Sequence, residues 1–271
     1  MTDTLFFMLS QPFMQRAVLG GIIISLCASL LGVSLVLKRY SMIGDGLSHV
    51  GFGSVVVASA LGLAPLAVAI PVVIAAAFLL LRLGDSSKLK GDSAVALVST
   101  GALAVGVVAS SLSTGMNQDF NSYMFGTILG LSESDVILSL AVSFPVLILF
   151  ILFYNKIFGI TFDETFSKAT GVKAGFYNGL VAILTSLIIV LGMRLMGALL
   201  ISSLIIFPSL TSMSLCKTFK GVVICSGIVS VVCFLSGICA SVIFNLPTGA
   251  AIVISNIIMF LLFRLISLFK K

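Results

Sequence analysis

The stretch Ala17-Val-Leu-Gly-Gly-Ile-Ile-Ile-Ser-Leu-Cys-Ala-Ser-Leu-Leu-Gly-Val-Ser-Leu-Val-Leu37 runs for 21 residues without a charge and is closed by Lys38-Arg39. As a helix rising 1.5 Å per residue it is about 30 Å long, the depth of a bilayer's hydrocarbon core. A soluble core helix keeps one polar face, and this run has none. It predicts a membrane span.

The same pattern recurs down the chain. Further apolar runs cover 42–62, 65–83, 94–114, 136–155, 176–193, 195–215, 221–243 and 248–268. The 271 residues are 59% hydrophobic and 9% charged, where a soluble domain carries roughly a quarter charged residues. The fold class is therefore all-α, a polytopic membrane protein of eight or nine transmembrane helices, eight if one run is re-entrant. The least marked boundary is placed at Gly192-Met-Arg194. No polar block is long enough for a folded extramembrane domain, so residues 1–271 are expected to form one transmembrane domain. Met1 to Arg16 lacks the layout of a cleavable signal, and the first span is expected to be retained.

With the N-terminus placed outside, the inward segments hold Lys38, Arg39, Arg82, Lys88, Lys90, Lys156, Lys168, Lys173, Lys217, Lys220, Arg264, Lys270 and Lys271. Only Arg16 and Arg194, of 15 basic residues, remain outside. Cytoplasmic loops collect lysine and arginine, so this bias predicts N-out, C-in and explains the net charge of +6 without nucleic acid. The five cysteines, Cys27, Cys216, Cys225, Cys233 and Cys239, lie in or beside apolar runs with no C-x-x-C spacing, which argues against a disulfide framework or a thiolate metal cage.

The second run opens with Ser41-Met-Ile-Gly-Asp45-Gly-Leu-Ser-His49, which holds an acid and the only histidine of the chain. At four residues' spacing Asp45 and His49 project from one helix face. Ionisable groups at membrane depth are costly and mark substrate pathways. Carboxylate and imidazole are also ligand types that divalent transition metals accept. The plain alternatives are a helix N-cap for Asp45 and a hydrogen-bonded core histidine. Two ligands are too few for a tight tetrahedral site, as suits an ion that must leave.

Elsewhere the residues say less. Asp119, Glu133 and Asp135 form either an outer acidic mouth or a solvated loop, or Glu133 and Asp135 simply flank the start of the fifth span. The ten methionines read as packing. Pro208 lies beside Ser202, Ser203 and Ser209, whose hydroxyls either face a pathway or bond between helices. The inward segment 156–173 places Phe162, Phe166 and Ala169 on one stripe of a short amphipathic helix, with Gly171 at its C-cap, a surface suited to a partner. No G-x-x-x-x-G-K-[ST] occurs, so ATP cannot be held in the P-loop manner.

Four segments in order resemble the zinc, manganese and iron permeases of ATP-binding cassette importers. They are Gly44-Asp45-Gly-Leu-Ser48-His49; Asn121-Ser-Tyr123-Met-Phe125-Gly126; Phe162-Asp163-Glu164 through Gly171 with Arg194-Leu-Met-Gly197 to Phe207-Pro208; and Asn245-Leu-Pro247-Thr-Gly249. The resemblance implies a non-enzymatic permease that works as a homodimer in the bacterial plasma membrane. Its implied partners are a cytoplasmic ATP-binding cassette ATPase, which hydrolyses the ATP, and an extracellular metal-binding lipoprotein. It implies Asp45 and His49 on the metal pathway, and Phe162, Asp163, Glu164, Phe166 and Gly171 in the ATPase-facing loop. No cofactor is expected to be bound permanently. Many manganese members continue with A-V-L-P-G after the histidine; Val50-Gly-Phe52-Gly53-Ser54 is similar instead to Gram-positive zinc permeases, which places zinc first and manganese second. Iron(II), a metal chelate, and a proton-coupled secondary transporter using the same pair are the competing readings.

Overall fold

The computed structural model describes residues 11–84, 91–112, 123, 124, 126 and 133–269. Asp119, Asn121 and Phe125 lie outside them. The helices are α1 (Pro12–Leu37), α2 (Ser41–Ala60), α3 (Pro65–Gly84), α4 (Gly91–Leu112), α5 (Glu133–Leu152), the short α6 (Tyr154–Phe162) and α7 (Glu164–Ala169), then α8 (Ala174–Met196), α9 (Ala198–Leu215), α10 (Phe219–Phe244) and α11 (Thr248–Phe269). Among the described residues, eight helices are long and apolar enough to cross a membrane, and the ninth helix of spanning length is α2. The count of eight or nine thus turns on the helix that carries Asp45 and His49.

Contacts at known residues give the helix directions. Gly20 of α1 adjoins Val136 of α5, and Cys27 Sγ lies 3.6 Å from the Ser143 carbonyl, so α1 and α5 run in parallel. Ser226 and Ser230 of α10 donate to the carbonyls of Ser29 (3.3 Å) and Ser25 (2.8 Å), so α10 runs against α1. Ser209 of α9 reaches Ser29 as well, at 3.4 Å. These hydroxyls therefore bond between helices, while Ser202 and Ser203 fold back on their own helix, to Leu199 and Leu200.

The break between α8 and α9 lies at Gly197, not at Gly192-Met-Arg194. Gly197 has φ 90°, open to glycine and strained for residues with a Cβ. The chain reverses there, bringing Ile201 against Gly192. Arg194 reads as an interfacial residue in sequence, but its charge is met by Asp135 at 2.7 Å, so the helix continues one more turn. The other outer arginine, Arg16, pairs with Glu133 at 3.0 Å. Glu133 and Asp135 are thus ion-pair partners of the two basic residues that the orientation rule leaves outside. Both lie in the first turn of α5, flanking the start of that span.

At the other end, α6 and α7 replace the single amphipathic helix expected across Phe162, Phe166 and Ala169. Asp163 is extended (φ −145°, ψ 96°) and its Oδ1 accepts the Phe166 N–H at 2.8 Å, which caps a new helix. Gly171 does close that helix. It has φ 83°, its N–H reaches Lys168 O and the Val172 N–H reaches Ser167 O, the double bond of a Schellman turn.

The interior is mainly aliphatic; Met193 and Met196 are buried in it, as the packing reading of methionine expects, whereas Met42 is 49% exposed. All five cysteines are free. Helices α2 and α4 approach backbone to backbone: a Cβ on Gly53 would sit 2.4 Å from the Ala102 carbonyl oxygen, and one on Gly106 would sit 2.9 Å from Gly53 Cα. Gly53→Ala should therefore force the two helices apart and cost roughly 1–3 kcal/mol, like other overpacking substitutions. Gly101→Ala, with nothing within 4 Å of the added carbon, should be neutral or slightly stabilising. Melting temperatures of the two variants in detergent test this, and equal melting would refute the close approach.

Candidate functional site

Helix α2 starts at Ser41 with Tyr40 as its N-cap residue, so Asp45 lies more than a turn inside and caps nothing. The helix midpoint falls between Val50 and Gly51, which puts His49 within about 2 Å of mid-span and Asp45 about 8 Å to the Lys38 side, at 1.5 Å per residue. His49 Nε2 and Asp45 Oδ2 are 3.6 Å apart. That is contact distance but too long for a hydrogen bond, so both groups keep lone pairs for another ligand.

Four helices enclose α2. Gly44 meets Ile205 of α9, Gly46 meets Val95 of α4, Gly51 meets Met193 of α8 and Val73 of α3, and Gly53 meets α4 again. Residues Ile43, Leu47, Val50, Phe52, Val55 and Val56 are buried. What stays open is one line of the helix, where the side chains of Asp45 and His49 retain 41% and 26% of their exposure. The enclosure explains how so polar a helix resides in a bilayer, and the open line says where its polar groups point: out of the single chain. Among the described residues no three His, Cys, Asp or Glu side chains gather as a metal cluster.

The stretch Val50 to Ser54 is packing. Phe52 is 1% exposed, Gly51 abuts Met193, and Gly53 abuts α4. It therefore carries less weight as a sign of which ion passes. Another family-like segment reaches the helix break: a Cβ on Gly126, which has φ 78°, would lie 2.0 Å from the Met196 carbonyl oxygen beside Gly197.

The chain matches the model of the ABC 3 transport family over residues 10–267. The chain belongs to that family. It is 28% identical to the manganese transport system membrane protein MntC of Halalkalibacterium halodurans, over 93% of this chain and 87% of that protein. It is 30% identical to a probable iron transport system membrane protein of Haemophilus influenzae, over 94% and 93%. Its fold superposes on a chain of PsaBC from Streptococcus pneumoniae in complex with Fab, with a TM-score of 0.87 and 26% identity, covering 97% of this chain and 95% of that one. The protein is thus a multi-pass membrane permease of a metal-ion importer; in this family ATP hydrolysis belongs to a separate subunit.

The residues of the α6–α7 segment divide in two. Phe162 and Phe166 are exposed, at 61% and 65%, and Phe162 stacks in a cluster with Phe158 and Phe219. Asp163 and Gly171 shape the turns described above. Glu164 is engaged within the chain: its i, i+4 spacing to Lys168 is a local signal, but no local signal announces Asn178 and Lys38. Its Oε1 takes Lys168 Nζ at 2.8 Å, and its Oε2 takes Asn178 Nδ2 at 3.0 Å and Lys38 Nζ at 3.5 Å. The Lys168 hydrogen bond, helped by Asn178 and Lys38 and opposed by partial burial, lowers the Glu164 pKa from 4.5 to about 2.

A carboxylate held below its ordinary value stabilises the fold above that value and loses the effect as the pH falls. The melting-temperature difference between wild type and Glu164→Gln should therefore hold steady from neutral pH to 4.5 and narrow between 4.5 and about 2. A difference that widens with acid would contradict this ionic cluster.

Proposed function

We propose that this chain is the permease through which an ATP-driven importer passes a divalent transition-metal ion, manganese first, with Asp45 and His49 as transient ligands on the path. The observation that carries the reading is their position, close to mid-span on the single uncovered line of an otherwise enclosed helix. A carboxylate facing lipid there is heavily penalised, so the open line calls for a covered, wet pathway. A second copy of the chain supplies the cover and doubles the ligands to two carboxylates and two imidazoles. That number can complete a coordination shell while each ligand stays easy to replace. Manganese takes precedence over the zinc expected from Val50 to Ser54, because those residues pack internally and the relatives named above act on manganese and iron.

In this mechanism an extracellular metal-binding lipoprotein delivers the ion at the Arg16 and Arg194 end. A cytoplasmic ATPase docks on α6 and α7, where Phe162 and Phe166 stand exposed, beside an open groove lined by Lys156, Lys173, Phe176 and Tyr177. Closure of the ATPases moves the helices at that end, and the ion passes Asp45 and leaves.

Uptake of radioactive manganese by cells expressing the permease with its ATPase and binding protein tests the reading. Asp45→Ala and His49→Ala should each lower uptake roughly tenfold or more at equal membrane abundance, since an essential ligand is worth at least a 10-fold loss when even supporting groups are worth 10–100-fold. Zinc accumulation in place of manganese would overturn the choice of ion. Wild-type uptake by both variants would overturn the role of the pair, and uptake driven by a proton gradient without ATP would favour a secondary transporter.

A further inference from the structure

We propose that the cluster of Glu164, Lys38 and Asn178 is the link that carries movement of α6 and α7 to the metal-bearing helix α2, with Lys38 as its positioning residue. The proposal rests on the reading that α6 and α7 face the ATPase.

Three elements meet in the cluster. Glu164 opens α7, Asn178 lies in the second turn of α8, and Lys38 ends α1 three residues before α2 begins. Lys38 Nζ also donates to Asn178 Oδ1 at 2.5 Å, so each member touches the other two. The Lys38 side chain is only 14% exposed, and such a tie is screened less than a surface ion pair.

The connection from Lys38 to α2 is stiff. The N–H groups of Arg39 and Tyr40 bond back to the carbonyls of Val36 and Leu35, at 3.0 and 2.8 Å. Arg39 holds φ 62°, the left-handed region that is strained for a residue with a Cβ. Displacement of Lys38 therefore reaches Ser41 with little slack, and Asp45 stands about one turn further along α2.

Behind this end of α2 the packing is incomplete. A cavity of about 30 Å³ lies between α1, α2, α3, α6 and α8, bounded by Lys38, Asn178, Ile43 and Leu47. Two hydroxyls on its wall, Ser34 Oγ and Thr185 Oγ1, have no hydrogen-bond partner among the described residues, although each residue is 2% exposed. The rest of the wall is mostly apolar, with Leu35, Ile43, Leu47, Leu81, Ile160 and Val181, so the space beside these hydroxyls is loosely filled. The Ile43 and Leu47 face of the cytoplasmic turns of α2 thus adjoins yielding space, while Gly44 and Gly46 meet the side chains of Ile205 and Val95. Further along, Gly53 is locked backbone to backbone against α4. A pull at Lys38 is free to shift Asp45 while the Gly53 contact serves as the fulcrum.

The test uses the permease assembled with its ATPase and binding protein in proteoliposomes, reading manganese transported per ATP hydrolysed. Lys38→Met and Asn178→Ala should each keep the ATPase bound and hydrolysing, and these two together with Glu164→Gln should each transport roughly two- to thirtyfold less metal per ATP hydrolysed, the range of a coupling element. Glu164→Gln/Lys38→Met should be no worse than either single change, because the two act as one unit, and Lys38→Arg should restore coupling. Should one variant not accumulate, the other two carry the same test. Unchanged transport per ATP, or losses that multiply in the double variant, would overturn the link. Failure of the docking reading shows separately, as full ATPase retention by Phe162→Ala/Phe166→Ala.

Discussion

A bilayer core has nothing to offer a carboxylate or an imidazole, and the architecture follows from that deficit. Helix α2 carries both groups, and of the nine helices of spanning length among the described residues it is the one too polar to stand as an ordinary span. Its neighbours α3, α4, α8 and α9 shield it from lipid on all sides but one. The exposed apolar side chains fall instead on helices such as α4 and α11, where Leu97, Leu112, Ile258 and Leu265 face outward as lipid requires. The line that carries Asp45 and His49, with Met42 beside it, is left for something other than this chain to cover.

Lipid tails are as apolar as leucine, so no hydrophobic drive pulls one span onto another. Close packing and hydrogen bonds do that work. Gly53 and Gly106 let α2 and α4 touch through their backbones. Serines on α9 and α10 bond to carbonyls of α1, each worth about 0.6 kcal/mol on average in membrane proteins. Single contacts are small, so the bundle depends on many of them. The looser packing beside the cavity near Lys38 is then a local exception.

Much of this was legible in sequence. Apolar run length reports bilayer thickness directly, so helix ends fell within a few residues of the expected ones. Asp45 and His49 stood out because ionisable residues are so scarce. The misplaced break shows the limit of local reading: Arg194 looks like a helix end until its distant partner Asp135 is seen, and nothing nearby says that Gly197 bears the positive φ. The split at Asp163 was hidden because Phe162 and Phe166 keep helical spacing across it. The Glu164 cluster joins residues up to 140 positions apart, which no local pattern registers. Ion identity was least legible, since the residues that pointed to zinc are engaged in packing.

Because His49 is the only histidine, nitrogen coupling to a bound ion identifies it without ambiguity. The decisive measurement is pulsed electron paramagnetic resonance of Mn²⁺ bound to the permease alone in nanodiscs, with its histidine labelled with ¹⁵N. Coupling to an imidazole ¹⁵N that disappears in His49→Gln and weakens in Asp45→Asn is the predicted result. A bound ion ligated by oxygen alone, indifferent to the label, would show that the pair on α2 does not handle the metal.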